Sequence, residues 1–485
     1  MSQSNRFCRR EEIRAALRRR GEVFFVGIGG IQMHALALCL RDRGYAVRGS
    51  DRTESAQTAR LTACGIPVSI GHRAEVLGGE VSALIYTLAV PWDAPELCAA
   101  RARGIPCFSR ADLLGYLMDA YPVRVAVAGM HGKSTVTAMV NALSVAAGLD
   151  PTTLSGASLG HGGAVYRPGG EKLFLCEACE YMDSFLCLRP HVAVALNMDR
   201  EHTDYFKSEG QMRHSFFRFL SRAQTVILPY GDPAFAPLQA RLAGRGARVL
   251  TFGTDPGADL SAWHIAYKNG CAAFDAVFAG RPIGHFSLSV LGEHNLRNAL
   301  AALAAYAALP AAPLPVPAAA ADALSAFGGC DRRLCHAGTG KGVQYYLDYA
   351  HHPTEIRASL AALRRICPPH ARLFCVFQPH TYSRTHDLYR EFAAALCLCD
   401  RLFLLDIYAA REENKSGVTA AALAADIPGA AYLPDSGELP ARLAAEARPG
   451  DFVVIMGAGD IDRRFAALRP SLGLPPSQEE ETPGN

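Results

Sequence analysis

Val123-Arg124-Val125-Ala126-Val127-Ala128-Gly129-Met130-His131-Gly132-Lys133-Ser134-Thr135 is the stretch that decides the fold. Its first six residues suit a buried strand, and the run from Val136 to Ala147 suits a helix. The turn between them carries two glycines and ends on Lys-Ser. Glycines let backbone N–H groups converge on phosphate oxygens, and the start of the following helix adds the positive end of its dipole. Lys133 supplies a point charge, and the Ser134 hydroxyl suits Mg²⁺. The full Walker pattern asks for glycine at position 127, where this chain has valine. The plainer alternative is a strand, a turn and a helix that happen to carry a surface lysine.

Outward from this stretch the chain alternates strands with helices, which implies α/β domains with parallel sheets. Its 485 residues are too many for one domain and suggest about three. Upstream, Glu22–Val26 reads as a buried strand running into Gly27-Ile28-Gly29-Gly30-Ile31-Gln32-Met33, then a helix. The next strand, Ala46–Asp51, ends in an acid. A tight glycine turn followed about two dozen residues later by a carboxylate is Rossmann-like geometry, although Gln32 occupies the place of the third glycine. Further strands are expected at Ile66–Ile70, Ala83–Tyr86 and Ile105–Phe108. Residues 1–122 form this N-terminal unit. The central unit, 123–313, is P-loop ATPase-like α/β and ends at a Pro/Ala-rich linker between Leu309 and Ala320. Residues 314–470 form a C-terminal Rossmann-like unit with strands at Gln344–Leu347, Leu373–Phe377, Leu402–Leu405 and Phe452–Met456. The acidic, proline-bearing tail, 471–485, is expected to be disordered.

Half the residues are hydrophobic and a fifth are charged, enough for sizeable cores. The net charge of +3 argues against a dedicated nucleic-acid binder. No apolar run approaches the roughly 18 residues of a membrane span. The segment from Arg6 to Arg20 lacks a signal peptide's apolar core and suits a short amphipathic helix. Fifteen cysteines scattered through apolar runs read as reduced thiols in a cytoplasmic protein. Cys176-Glu177-Ala178-Cys179 lacks the second pair that a structural zinc site usually has.

Strand ends carry the chemistry. Leu173–Cys176 delivers Glu177 and Glu180, and His191–Leu196 delivers Asn197, Asp199, Glu201 and His202. Ligands of open α/β sheets sit beyond the carboxyl ends of the strands, so acids there, beside a phosphate loop, point to a metal–nucleotide centre. Gly292-Glu293-His294-Asn295-Leu296-Arg297-Asn298 opens a helix. Asp348-Tyr349-Ala350-His351-His352-Pro353, Gln378-Pro379-His380-Thr381-Tyr382-Ser383-Arg384 and Gly457-Ala458-Gly459-Asp460 each follow a strand.

Taken in order, these motifs resemble the Mur ligases of peptidoglycan synthesis, and the resemblance spans nearly the whole chain. It implies that the N-terminal domain holds a UDP-sugar, the central domain ATP and the C-terminal domain an amino acid. The implied reaction is ATP-driven amide formation. The lactyl carboxylate of UDP-N-acetylmuramate takes the γ-phosphate, the amine of L-alanine attacks the acyl phosphate, and phosphate leaves.

By the same resemblance, Lys133, Glu177, His202 and Arg384 are catalytic. The ATP-binding set is Gly129, Met130, His131, Gly132, Lys133, Ser134, Thr135, His294, Asn295, Asn298, Arg333 and Asp348. Gly27, Ile28, Gly29, Gly30, Met33, Asp51 and Thr87 meet the UDP-sugar, and Tyr349, His351, His380 and Arg384 the amino acid. Ser134, Glu177 and His202 hold Mg²⁺, and the imidazole is also compatible with Mn²⁺. For Asn295 the alternative is a helix cap, and for His352 a packed helix-start residue.

Met130 stands where the family usually has threonine, Gln32 replaces a glycine, His34 occupies a position where a small residue is common, and Thr381 stands where some members have arginine. Two alternatives remain: a relative that joins a whole tripeptide to the same UDP-sugar, and an NAD-dependent dehydrogenase with extra domains.

Overall fold

The computed structural model describes residues 9–475 apart from 20, 204 and 435. Three sheets carry the chain in sequence order. The first holds β1 (Glu22–Val26), β2 (Val47–Asp51), β3 (Val68–Ile70), β4 (Val81–Tyr86) and β5 (Cys107–Ser109). Its order is β3-β2-β1-β4-β5, all parallel, so the chain reverses direction beside β1, whose carboxyl end carries the Gly27–Gly30 turn. The helix Arg10–Leu17 packs beneath it through Ile13, Ala16 and Leu17.

The central sheet has ten strands: β6 (Val123–Ala128), β7 (Thr152–Leu154), β8 (Tyr166–Arg167), β9 (Leu173–Glu177), β10 (Val192–Ala195), β11 (Thr225–Pro229), β12 (Arg248–Gly253), β13 (Leu260–Lys268), β14 (Cys271–Phe278) and β15 (Arg281–Leu291). β6 lies inside it, parallel to β10 and β9. Val127 pairs with Val194 on one side and Glu177 on the other and is fully buried. The Walker glycine is absent because position 127 is still interior strand, where a β-branched side chain packs. β13, β14 and β15 add an antiparallel wing.

The third sheet, β16 (Cys335–Gly340), β17 (Val343–Asp348), β18 (Leu373–Phe377), β19 (Arg401–Leu405), β20 (Ala430–Leu433) and β21 (Phe452–Met456), runs in the order β16-β17-β21-β18-β19-β20. It is parallel except at β16.

Two expectations about boundaries need correction. Val316, Ala320, Leu324, Phe327 and Cys330 pack into the central core with Val136 and Leu300. The linker expected between Leu309 and Ala320 is therefore folded onto the central domain, and the boundary expected at 313 moves to the stretch before β16. At the other end, residues 471–475 are not a loose tail. Leu472 and Leu474 are buried with Val343 and Phe465, and the backbone of Leu472 lies so close to Gly340 that a Cβ there would meet its carbonyl oxygen. The rest of the expected tail lies outside the described residues.

Candidate active site

The phosphate loop is built by two left-handed glycines. Gly129 has φ +140° and Gly132 φ +84°. A Cβ at Gly132 would stand 2.6 Å from Asn298 Oδ1, and one at Gly129 2.9 Å from Leu196 Cβ, so both conformation and space demand glycine. The loop is clasped to the end of β10: the His131 N–H donates to Asn197 Oδ1 at 2.9 Å, and Asn197 Nδ2 donates back to the His131 carbonyl at 3.0 Å. Met130 points into the core, so the missing threonine hydroxyl leaves only the Met130 backbone at the loop. Ser134 and Thr135 open the helix Lys133–Ala146 and are buried.

Lys133 is not a surface charge. Its Nζ lies 3.1 Å from Glu180 Oε2, a carboxylate 1% exposed, and donates to the carbonyls of Gly129 and Met130. Burial works against both charges, but each partner outweighs it: Glu180 raises Lys133, and Lys133 followed by His202 lowers Glu180. His202 Nε2 sits 3.2 Å from Glu180 Oε1. In the sequence Glu180 is only one of two strand-end acids, yet it is the residue that joins Lys133 to His202. Glu177 is tied elsewhere: its Oε1 accepts the Ser155 hydroxyl at 2.9 Å and the Gly156 N–H. The adjoining Cys176 and Cys179 thiols are pushed up by burial.

Beside the loop, a cavity of about 350 Å³ opens between the central and C-terminal domains. Its lining brings together His131, Gly132, Thr135, His294, Asn295, Asn298, Arg333 and Asp348 from the expected nucleotide set. Asn295 is not a helix cap: Gly292 holds that position, and Asn295 Nδ2 donates to the Leu291 carbonyl at 2.8 Å. Burial pushes His294 down to about 4, leaving a neutral imidazole. Burial pushes the Asp348 carboxyl up to about 6, while its Oδ2 accepts from Ser359. The Arg333 guanidinium lies 5.0 Å from the Tyr349 ring and 3.7 Å from Glu355 Oε1.

A second cavity, about 600 Å³, is lined by all three domains: Arg52 from the first, Tyr181, Glu201 and His202 from the second, His380, Arg384 and Arg411 from the third. Arg384 Nη2 donates to Glu201 Oε1 at 3.1 Å, and His351 Nε2 stands 3.4 Å from the same oxygen. Glu201 is held well below the usual carboxylate range: burial opposes its charge, but His351, His202 and Arg384 overcome it. Tyr349 does not reach this lining; its ring lies against Arg332 and Arg333. His202, Thr381 and Ala410 in the lining all have positive φ, of 54°, 67° and 53°. Strained non-glycine residues of this kind persist where the surrounding structure holds them, and they gather at functional sites. The sequence does not single out Arg52 or Arg411, because exposed arginines on loops look like solvated surface.

In the N-terminal domain, the Gly29 N–H donates to Asp51 Oδ2 at 2.8 Å, and a Cβ at Gly27 would meet Thr87 Cγ2 at 2.9 Å. The turn thus wraps Asp51 and Thr87. Ile28 and Met33, expected to meet the UDP-sugar, are core residues, 0% and 2% exposed. Their apolar side chains serve the packing, and only their backbones remain for a ligand. Gln32 Oε1 accepts from Arg110, which ties the turn to the helix Arg110–Met118. His34 is buried, neither of its ring nitrogens is hydrogen-bonded, and burial pushes it down to about 4.

A phosphate loop inside one of three α/β sheets, with polar cavities at the domain junctions, defines a three-domain nucleotide-dependent enzyme. Residues 22–122 match the Mur ligase family catalytic domain, 127–306 the Mur ligase middle domain, and 332–459 the Mur ligase glutamate ligase domain. The UDP-N-acetylmuramate–L-alanine ligase of Agathobacter rectalis is 39% identical over 444 residues, 90% of this chain and 95% of that protein. The solved UDP-N-acetylmuramate–alanine ligase of Thermotoga maritima superposes with a TM-score of 0.76 at 25% identity, covering 91% of this chain and 97% of that one. A murein peptide ligase of Psychrobacter arcticus shares the fold, with a TM-score of 0.71 at 22% identity over 93% of this chain and 99% of that one. The chain belongs to the Mur ligase family.

Proposed function

We propose that this chain is an ATP-dependent ligase that joins L-alanine to the lactyl carboxylate of UDP-N-acetylmuramate through an acyl phosphate, in the cytoplasm, as a step of peptidoglycan precursor synthesis. The observation that carries this reading is the Lys133–Glu180–His202 chain of contacts. It runs from the phosphate loop, beside the nucleotide cavity, to His202 in the lining of the second cavity.

Phosphoryl transfer is mostly positioning plus neutralisation of charge. Gly129 and Gly132 keep the loop open for phosphate oxygens, and Lys133 leaves Glu180 for them when ATP arrives. His294, Asn295, Asn298, Arg333 and Asp348 line the same cavity and are the residues available to the rest of the nucleotide. By donor chemistry Ser134, Glu177, Glu180 and His202 are the residues that would hold Mg²⁺, and the bonds to Ser155 and Gly156 leave Glu177 Oε2 unused. Bound there, Mg²⁺ would supply neutralisation of the negative charge that gathers in phosphoryl transfer. Arg384 offers the amino-acid carboxylate a bidentate partner, giving up Glu201 to do so. His380, which burial and then Arg384 push down to about 3, is a neutral imidazole whose Nδ1 lies 3.0 Å from Arg384 Nη1 and orients that guanidinium.

The test is ADP release with UDP-N-acetylmuramate and Mg²⁺ present, against L-alanine, glycine, L-serine, other amino acids and a tripeptide. Release selective for L-alanine supports the assignment. Release with the tripeptide alone replaces it with the recycling reaction, and no release with any acceptor removes it.

A further inference from the structure

Three donor groups converge where the phosphate loop meets the C-terminal domain, and none of the roles above uses them together. His131 Nε2 and His352 Nδ1 stand 3.4 and 3.5 Å from the same oxygen, Asp199 Oδ2. The three donor atoms lie within 4.8 Å of one another. The two imidazoles face each other with centroids 4.9 Å apart. Neither ring nitrogen of His131 makes a hydrogen bond, although both are buried.

The two separations are longer than an N–H···O bond, which prefers about 2.9–3.0 Å. They match a different geometry: ligands about 2.0–2.1 Å from a tetrahedral zinc ion stand about 3.3–3.5 Å apart. The far nitrogens are oriented as metal-bound histidines are. His131 Nδ1 faces Glu355 Oε1 at 3.2 Å, and His352 Nε2 lies 3.2 Å from the Arg200 carbonyl. For His352 the outer partner fixes the tautomer and aims the Nδ1 lone pair at the ion, whereas Glu355 lies behind His131 as a charge partner without a hydrogen bond. Thr354 is the competitor: its N–H reaches His352 Nδ1 at 3.3 Å, and its hydroxyl donates to Asp199 Oδ2. The long amide contact is the one an ion replaces, and a carboxylate oxygen keeps a second lone pair.

We propose that His131, Asp199 and His352 form a site for a borderline divalent transition ion of the zinc class, which ties the central domain to the C-terminal domain. Two imidazoles and one carboxylate suit such an ion, whereas Mg²⁺ prefers oxygen. His131 follows β6, Asp199 follows β10, and His352 caps the helix Pro353–Ile366, so one ion joins the phosphate loop to the wall of the C-terminal domain across the nucleotide cavity.

The experiment titrates Co²⁺ alone into the metal-free full-length chain and follows the visible spectrum. The expected result is ligand-field bands of a four- or five-coordinate ion saturating at one equivalent, with no thiolate-to-cobalt charge transfer. Zn²⁺ then displaces the bands and raises the melting temperature. His352→Asn, which keeps a helix-capping acceptor, and Asp199→Asn each weaken Co²⁺ binding at least about tenfold. Absence of bands at one equivalent, thiolate charge transfer in the wild-type spectrum, or unchanged affinity in both variants overturns the site. The wild-type spectrum gives the coordination number and excludes thiolate, and the two variants assign the ion to this site rather than to the acids beside Lys133.

Discussion

Lys133 and Glu180 form a buried pair, Nζ to Oε2 3.1 Å, and the carboxylate is 1% exposed. Lys133 is therefore already neutralised, and in the proposed mechanism ATP takes it from Glu180. Lys133→Ala removes the phosphate contact and should lower ATP turnover at least about a hundredfold, as loss of one transition-state donor does. It also leaves Glu180 buried with only His202 beside it. Removing one partner of a buried pair costs about 3–5 kcal/mol, so thermal unfolding should fall several degrees. Turnover near wild type would take Lys133 out of the mechanism. Unfolding restored by adding Glu180→Gln would show that the stability loss comes from the stranded carboxylate.

Arg384 holds Glu201 across the junction of the central and C-terminal domains, Nη2 to Oε1 3.1 Å. Arg384→Ala should raise the KM for the amino acid by roughly tenfold to a hundredfold, the value of a charge-assisted hydrogen bond. The KM for ATP should move little, because Arg384 lies in the second cavity and not the first. Steady-state kinetics with each substrate varied in turn makes the comparison. A change confined to ATP would contradict the assignment.

Asp348 gives a pH dependence with a definite sign. Burial pushes its carboxyl from 3.8 up to about 6 in the folded chain, so the native state binds the proton more tightly than the unfolded one. There is no penalty below pH 4. The penalty grows as pH rises from about 4 to 6 and is complete above that, on the order of 3 kcal/mol. Asp348→Asn should therefore melt higher than wild type at pH 7.5 and no higher at pH 4. Because Asp348 lines the nucleotide cavity, its KM for ATP should rise. Equal melting of the variant and wild type at both pH values would show that burial does not raise Asp348.

What can be read without coordinates follows from how each element is buried. The five strands of the first sheet are short and alternate with helices, three of them are closed by a glycine or an acid, and all five are legible as strands. β13 is not, because from Trp263 to Lys268 it is exposed and has no alternation to read. β16 escapes for a similar reason: it is an edge strand with two glycines and little burial along its length. The site is legible where chemistry is local, as in Gly129–Thr135 and Gly292–Asn298. It is not legible where partners meet from distant segments. Glu201 meets Arg384 across 183 positions of sequence. Glu177 and Glu180 are three residues apart at one strand end, and only the fold shows that the second, not the first, faces Lys133.

Arg52 of the N-terminal domain and Arg411 of the C-terminal domain share the second cavity, and among the described residues neither has a carboxylate partner. Burial and then Arg52 lower Arg411, so the two cations face each other across the junction. Like charges placed this way are relieved by an anion between them, and the UDP-sugar brings a diphosphate and a carboxylate. Arg52→Ala and Arg411→Ala should each raise the KM for the UDP-sugar at least about tenfold, with melting temperatures no lower than wild type because each removes the repulsion between the two cations. If one anion bridges both, the double variant should lose less than the product of the two single losses, since the second substitution removes a contact already broken. Independent, multiplicative effects would place the two arginines on separate groups of the substrate, and an unchanged KM in both would return them to ordinary surface.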